Sequence, residues 1–74
     1  MSQGNKMNRN ENIQDVLKKR WITPVEFNLK YGIKINTQSK YRMDGRIPFS
    51  KVGKFIRYDT KKIDIWLEEH EVIS

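Results

Sequence analysis

His70 is the one imidazole in the chain, and it sits among the carboxylates of Glu68, Glu69 and Glu71. A general base needs a hydrogen-bonded partner in a formed cleft. These carboxylates instead recur as one solvated helix face, which leaves His70 a surface histidine. There is no cysteine, hence no thiolate nucleophile, no disulfide framework and no cysteine-based metal site. Gly32, Gly45 and Gly53 are isolated, so no loop is rich enough in glycine to cradle a phosphate. The reading is a non-enzyme with no catalytic residue, no metal, no cofactor and no small-molecule ligand.

The residues that do cluster are cations. Positions 30–62 hold ten Lys or Arg against Asp44 and Asp59, a net +8. Positions 63–74 carry four acids and no Lys or Arg, and positions 1–29 carry five basic residues against three acids. A basic middle in a neutral-to-acidic frame points to a polyanion, most simply nucleic acid. No apolar run approaches 18 residues and no apolar stretch marks a secretory leader, so no membrane partner is expected and the compartment reads as cytoplasmic.

At 74 residues the chain has room for one small core. Positions 1–11 read as a disordered polar tail. Positions 12–20 form a short helix on the i, i+3, i+4 stripe Ile13, Val16 and Leu17. Positions 21–71 form the domain, and 72–74 its end. Thr23-Pro24-Val25-Glu26 is a helix start, with Thr23 as cap, Pro24 first and Glu26 reaching back. Gly32 closes that helix after about 24–30. A second helix, opening at Asn36 and closing at Gly45, is polar nearly all round. Two helices about a Gly-containing turn make a helix-turn-helix candidate.

Pro48 ends the helices, and two short strands follow around Gly53. Pairing Val52 with Ile56 sorts Ser50, Val52, Ile56 and Tyr58 onto one face and Lys51 and Arg57 onto the other. That register makes Gly53-Lys54-Phe55 the loop and puts Lys54 and Phe55 at the tip. Asp59-Thr60 caps a last helix whose Ile63, Trp66 and Leu67 face inward. The expected core is Trp21, Phe27, Ile33, Ile47, Val52, Ile56, Tyr58, Ile63, Trp66 and Leu67. The fold class is mainly α with a small two-stranded antiparallel hairpin.

The ordered set Trp21-Ile22-Thr23-Pro24-Val25-Glu26-Phe27, Tyr31-Gly32-Ile33, Asp44-Gly45-Arg46-Ile47-Pro48, Lys51-Val52-Gly53-Lys54, Tyr58-Asp59 and Ile63-Asp64-Ile65-Trp66-Leu67 resembles the excisionase/MerR-like winged helix-turn-helix family. It covers about two-thirds of the chain. The resemblance implies a winged helix-turn-helix that binds double-stranded DNA with sequence preference, as a transcriptional regulator or an excisionase-like directionality factor of a mobile element. The chain departs from the family at Asn28 and Lys34, and at Gln38 and Arg42, where apolar residues are usual. The family's long dimerising helix and effector domain are not present, so no metal or drug sensing is implied.

With Tyr41 facing the core, Asn36, Lys40 and Met43 share the opposite helix face, and the resemblance favours these three as groove-facing. Asn36 is a base reader or a helix cap. Met43 packs or meets a thymine methyl. Thr37 lies in the first turn, while Gln38 and Ser39 flank the face. Arg42 reaches a phosphate or makes a structural ion pair. On the hairpin, Lys51, Lys54 and Arg57 read as phosphate or minor-groove contacts. Phe55 is a folded-back core residue or an exposed apolar finger. Cooperative self-association or a homodimer would extend the few base pairs one module covers. A protein-interaction adaptor using the N-terminal stripe and acidic last helix, or an RNA-binding module, would use the same composition differently.

Overall fold

Thr23 starts the helix on which the other elements assemble. Its hydroxyl accepts from the Glu26 backbone N–H at 3.2 Å, and the Glu26 carboxylate accepts from the Thr23 N–H at 2.9 Å. Both partners of a capping box are thus present. Ile22 before the cap and Phe27 four positions into the helix are both fully buried in one cluster, as a hydrophobic staple requires. At the far end Gly32 adopts φ 74°, and its N–H donates to the Asn28 carbonyl at 2.8 Å. The expected start and stop are borne out. Thr23→Ala should cost about 1 kcal/mol, or roughly 4–8 °C in Tm for a domain of this size. Thermal unfolding followed by circular dichroism measures it, and an unchanged Tm would contradict the capping box.

The computed structural model describes residues 13–73. Residues 1–11, Asn12 and Ser74 lie outside them, and with them the expected polar tail. The elements run α1 (Ile13–Lys18), β1 (Trp21–Ile22), α2 (Pro24–Tyr31), α3 (Ile35–Met43), β2 (Ser50–Val52), β3 (Phe55–Asp59) and α4 (Thr60–Glu69). This is a small α+β domain with a three-stranded antiparallel sheet of order β1-β3-β2. The expected sheet had two strands; Trp21 pairs with Asp59 and Ile22 with Tyr58, which adds β1 at the free edge of β3. The core is Ile22, Phe27, Ile47, Tyr58 and Ile63, with Tyr31, Ile33, Tyr41, Ile56 and Trp66 packed against it. The Phe27 ring centroid lies 4.4 Å from that of Tyr58 and 4.9 Å from that of Tyr31. Val16 of α1 is buried and Leu17 half-buried, so these two residues of the N-terminal stripe dock on their own domain. Lys30 Nζ fastens them by donating to the Leu17 carbonyl at 3.1 Å.

Three expected core residues are exposed: Trp21, Val52 and Leu67. Trp21 and Val52 lie on the sheet face turned away from the helices, and Leu67 lies at the rim of α4. The hairpin register also differs from the expected one. Val52 pairs with Phe55, Lys51 with Ile56 and Ser50 with Arg57. The loop is therefore the two residues Gly53-Lys54, and Phe55 belongs to β3. Gly53 adopts φ 61° at the first loop position. Positive φ there suits the tight turn that matches strand twist, and this outweighs the cleaner sorting of apolar from basic side chains.

Asp59 joins three elements. Its carboxylate accepts from Arg20 Nε at 3.2 Å and Nη2 at 3.1 Å, and caps α4 by accepting from the Lys61 N–H at 3.0 Å. The Arg20 guanidinium, with help from the Lys61 N–H, holds the Asp59 carboxyl below the usual carboxylate range. Burial alone would raise Glu26, but hydrogen bonds from Lys19 and Thr23 outweigh it and the net direction is again down. Both groups are lower in the folded than in the unfolded chain, so their stabilisation is present above the unfolded value of about 4. It is lost as pH falls through the folded values. The urea midpoint should hold from pH 7 to 5 and decline from pH 5 to 3, with a shallower decline in Asp59→Asn. An equal decline in that variant would remove Asp59 as a cause.

Candidate nucleic-acid interface

α3 has two faces of different character. Gln38, Tyr41 and Arg42, at i, i+3 and i+4, turn toward the core. Asn36, Lys40 and Met43, at i, i+4 and i+7, are all exposed. The outward set is the one expected from Tyr41 facing inward, and Tyr41 does so, its ring edge-on to Trp66 at 6.4 Å.

The inward set corrects the expectation for Gln38. Rather than flanking an outer face, Gln38 is fully buried. Its Nε2 donates to the Pro24 carbonyl at 3.0 Å and the Ile33 carbonyl at 2.7 Å. Its Oε1 accepts from the Tyr58 hydroxyl at 3.0 Å. Arg42 in turn donates to that hydroxyl and, through Nη2, to Ser39 Oγ at 3.2 Å. Burial pushes the Tyr58 hydroxyl up, with Arg42 acting against it. This chain fixes the rotation of α3: it ties the start of α2, the turn after α2 and the middle of β3 to one amide. Arg42 and Ser39 are both half-buried and spend hydrogen bonds inside the domain, so they support the outward face more than they extend it.

α3 begins at Ile35, one residue before the expected Asn36, with Lys34 at the cap position and no side-chain cap. Asn36 therefore lies inside the first turn, its side chain exposed and not used as a cap, and Thr37 behind it is half-buried. Met43 is the last helical residue, and Gly45 closes the helix as expected: it adopts φ 67°, and the Gly45 and Arg46 N–H groups donate to the Arg42 and Tyr41 carbonyls at 3.1 and 2.8 Å.

The hairpin divides the expected cations between two faces. Lys51 pairs with Ile56 and lies on the α3 side. There Ser39, Arg42, Met43, Phe49, Lys51 and Ile56 line an open groove of about 330 Å³ between helix and hairpin. Lys54 is exposed at the loop. Phe55 and Arg57 belong to the opposite face, with Ser50 and Val52 across the strands. Phe55 is not folded into the core; it is 63% exposed, with the Arg57 guanidinium 5.8 Å from its ring centroid. The structure thus brings Ser39, Arg42, Met43 and Lys51 together along one groove, leaves Asn36 and Lys40 exposed on the same helix and Lys54 at the hairpin loop, and puts Phe55 and Arg57 on the opposite face of the hairpin. Trp21, assigned to the core from sequence, belongs with that second pair on the outer face. Only the two-residue pairing of β1, too short to show a period, could have revealed it.

Among the described residues no three His, Cys, Asp or Glu gather as a cation site, and no helix is long and apolar enough to cross a membrane. Comparison of the chain with protein-family models, with curated proteins and with solved structures returns no match.

Proposed function

We propose that the chain is a winged helix-turn-helix protein that binds double-stranded DNA with sequence preference, with α2 and α3 as the helix pair and the β2–β3 hairpin as the wing. The observation that carries this reading is the outward face of α3. Asn36, Lys40 and Met43 stand free in solvent on a helix rotated by a buried amide. An α-helix fits the major groove, where Asn suits adenine, Lys suits guanine and an apolar side chain suits the thymine methyl. Lys51 and Lys54 then meet the phosphates that flank the groove and supply most of the affinity without reading sequence. The role is non-catalytic, as a cytoplasmic transcriptional regulator or a directionality factor for recombination. Cooperative self-association on adjacent sites compensates for the small footprint of one module.

The test is fluorescence anisotropy on a random-sequence duplex pool, followed by selection of the tightest-bound sequences and a salt titration. The expected result is enrichment of a short motif, with log K falling linearly against log salt. An unenriched pool would reduce the protein to a shape-tolerant DNA binder, and no binding at low salt would remove DNA as the partner.

A further inference from the structure

The face of the sheet turned away from the helices is not explained by duplex binding through α3. Cross-strand register puts Trp21 opposite Asp59, and alternation along β3 puts Asp59, Arg57 and Phe55 on one side. Ile22 and Tyr58, on the other side, are fully buried, which identifies that side as the inner one. Trp21 is 46% and Phe55 63% exposed. Each ring is paired with a guanidinium: Arg20 lies 5.4 Å from the Trp21 centroid and Arg57 5.8 Å from that of Phe55. Four residues of strand separate Phe55 from the Asp59 position beside Trp21, about 13 Å. Lys62 borders the same face, sharing a hollow of about 110 Å³ with Ser50 and Asp59, and Lys54 stands at its far end.

From this arrangement we infer that the outer sheet face binds single-stranded nucleic acid, with bases stacked on Trp21 and Phe55 and the backbone held by the cations between and beside them. A duplex keeps the faces of its bases inside its own stack, so exposed aromatic rings gain little from it. An unpaired strand offers those faces, and stacking on aromatic side chains supplies binding that tolerates any sequence. The cations supply the salt-dependent remainder. A second copy of this chain is a poor occupant, because the face presents Arg20, Arg57, Lys62 and Lys54 against one carboxylate, Asp59, already held by Arg20. Two copies meeting there would bring like charges together. The surface shares only Lys54 with the proposed duplex interface, so variants at Trp21 and Phe55 test it separately from those on α3.

The experiment titrates the full chain with fluorescein-labelled (dT)12, reading anisotropy and, with unlabelled oligonucleotide, intrinsic tryptophan fluorescence. Saturable binding should quench the fluorescence, and Trp21→Phe should abolish the quench, because Trp66 lies across the fold. Phe55→Ala should weaken (dT)12 binding by about tenfold or more, Phe55→Tyr should restore it and Phe55→Leu should not. Both aromatic positions are exposed, and circular dichroism confirms that each variant folds. Lys40→Ala should leave (dT)12 affinity unchanged. The inference is overturned if Phe55→Ala binds like the parent, if Phe55→Leu rescues as well as Phe55→Tyr, or if the quench survives in Trp21→Phe. It is also overturned if polyglutamate displaces (dT)12 as readily as unlabelled (dT)12 does, which would leave a charge-only surface. Dissociation of a dimer by Phe55→Ala, without (dT)12 binding by the parent, would assign the face to self-association instead.

Discussion

Gln38→Ala is expected to lower stability by about 2–4 kcal/mol, which for a domain this small removes most of the folded state. The loss has three parts. The Pro24 and Ile33 carbonyls lose their donor, and the Tyr58 hydroxyl loses its acceptor. Each buried polar group left without a partner costs about 1–3 kcal/mol unless water reaches it. A cavity adds to this, because Gln38 is fully buried and its neighbours belong to three different elements. Gln38→Leu keeps most of the volume and loses every hydrogen bond, so its deficit measures the polar part. Tyr58→Phe removes the hydroxyl, and a double-mutant cycle with Gln38→Leu gives the coupling between the two side chains. Urea denaturation at pH 7 reads the parent and the four variants. A Gln38→Ala midpoint close to that of the parent would mean that the amide is solvated and that α3 is free to rotate.

That residue also shows where sequence reading stops. The capping box at Thr23 and Glu26 and the cap at Asp59 were legible because every participant lies within three residues of the others. The outward face of α3 was legible once Tyr41 was assigned inward, since helical spacing does the rest. Gln38 was not, because its partners lie 5, 14 and 20 residues away and its polarity reads as solvent exposure. The same holds for Arg42: a basic side chain beside a proposed DNA face looks like a phosphate contact until Tyr58 is seen beneath it. The hairpin register failed for a different reason. Sorting of side chains by polarity favoured a three-residue loop, whereas Gly53 in the left-handed region closes a two-residue one. One residue of slip moves every side chain to the other face. It turned β2 over relative to β3, bringing Lys51 beside Ile56 on the α3 side and Ser50 and Val52 beside Arg57, and it took Phe55 from the tip to that outer face, while Arg57 kept the side expected of it.

On the proposed reading, Lys40→Ala should weaken binding to the preferred duplex by about 1–3 kcal/mol while changing scrambled duplexes much less. Lys54→Ala should weaken both about equally, and lower the magnitude of the log K against log salt slope by about one. The two substitutions remove the same charge from exposed positions, so the difference between them isolates position. Lys40 lies on the outward face of α3 between Asn36 and Met43, one turn from each, where a major groove would receive it. Lys54 lies in the two-residue loop of the hairpin, at the end farthest from the core, where a flanking backbone would pass. Neither side chain holds the fold together, so neither variant should change the unfolding free energy by more than about 0.5 kcal/mol. The measurement is a salt titration of the parent and both variants on the selected and scrambled duplexes. Lys51, on the α3 side of β2, serves as an internal control and should behave like Lys54. Equal losses on both duplexes for Lys40→Ala would deny α3 the role of reader and leave its outward face one more cationic contact to the backbone.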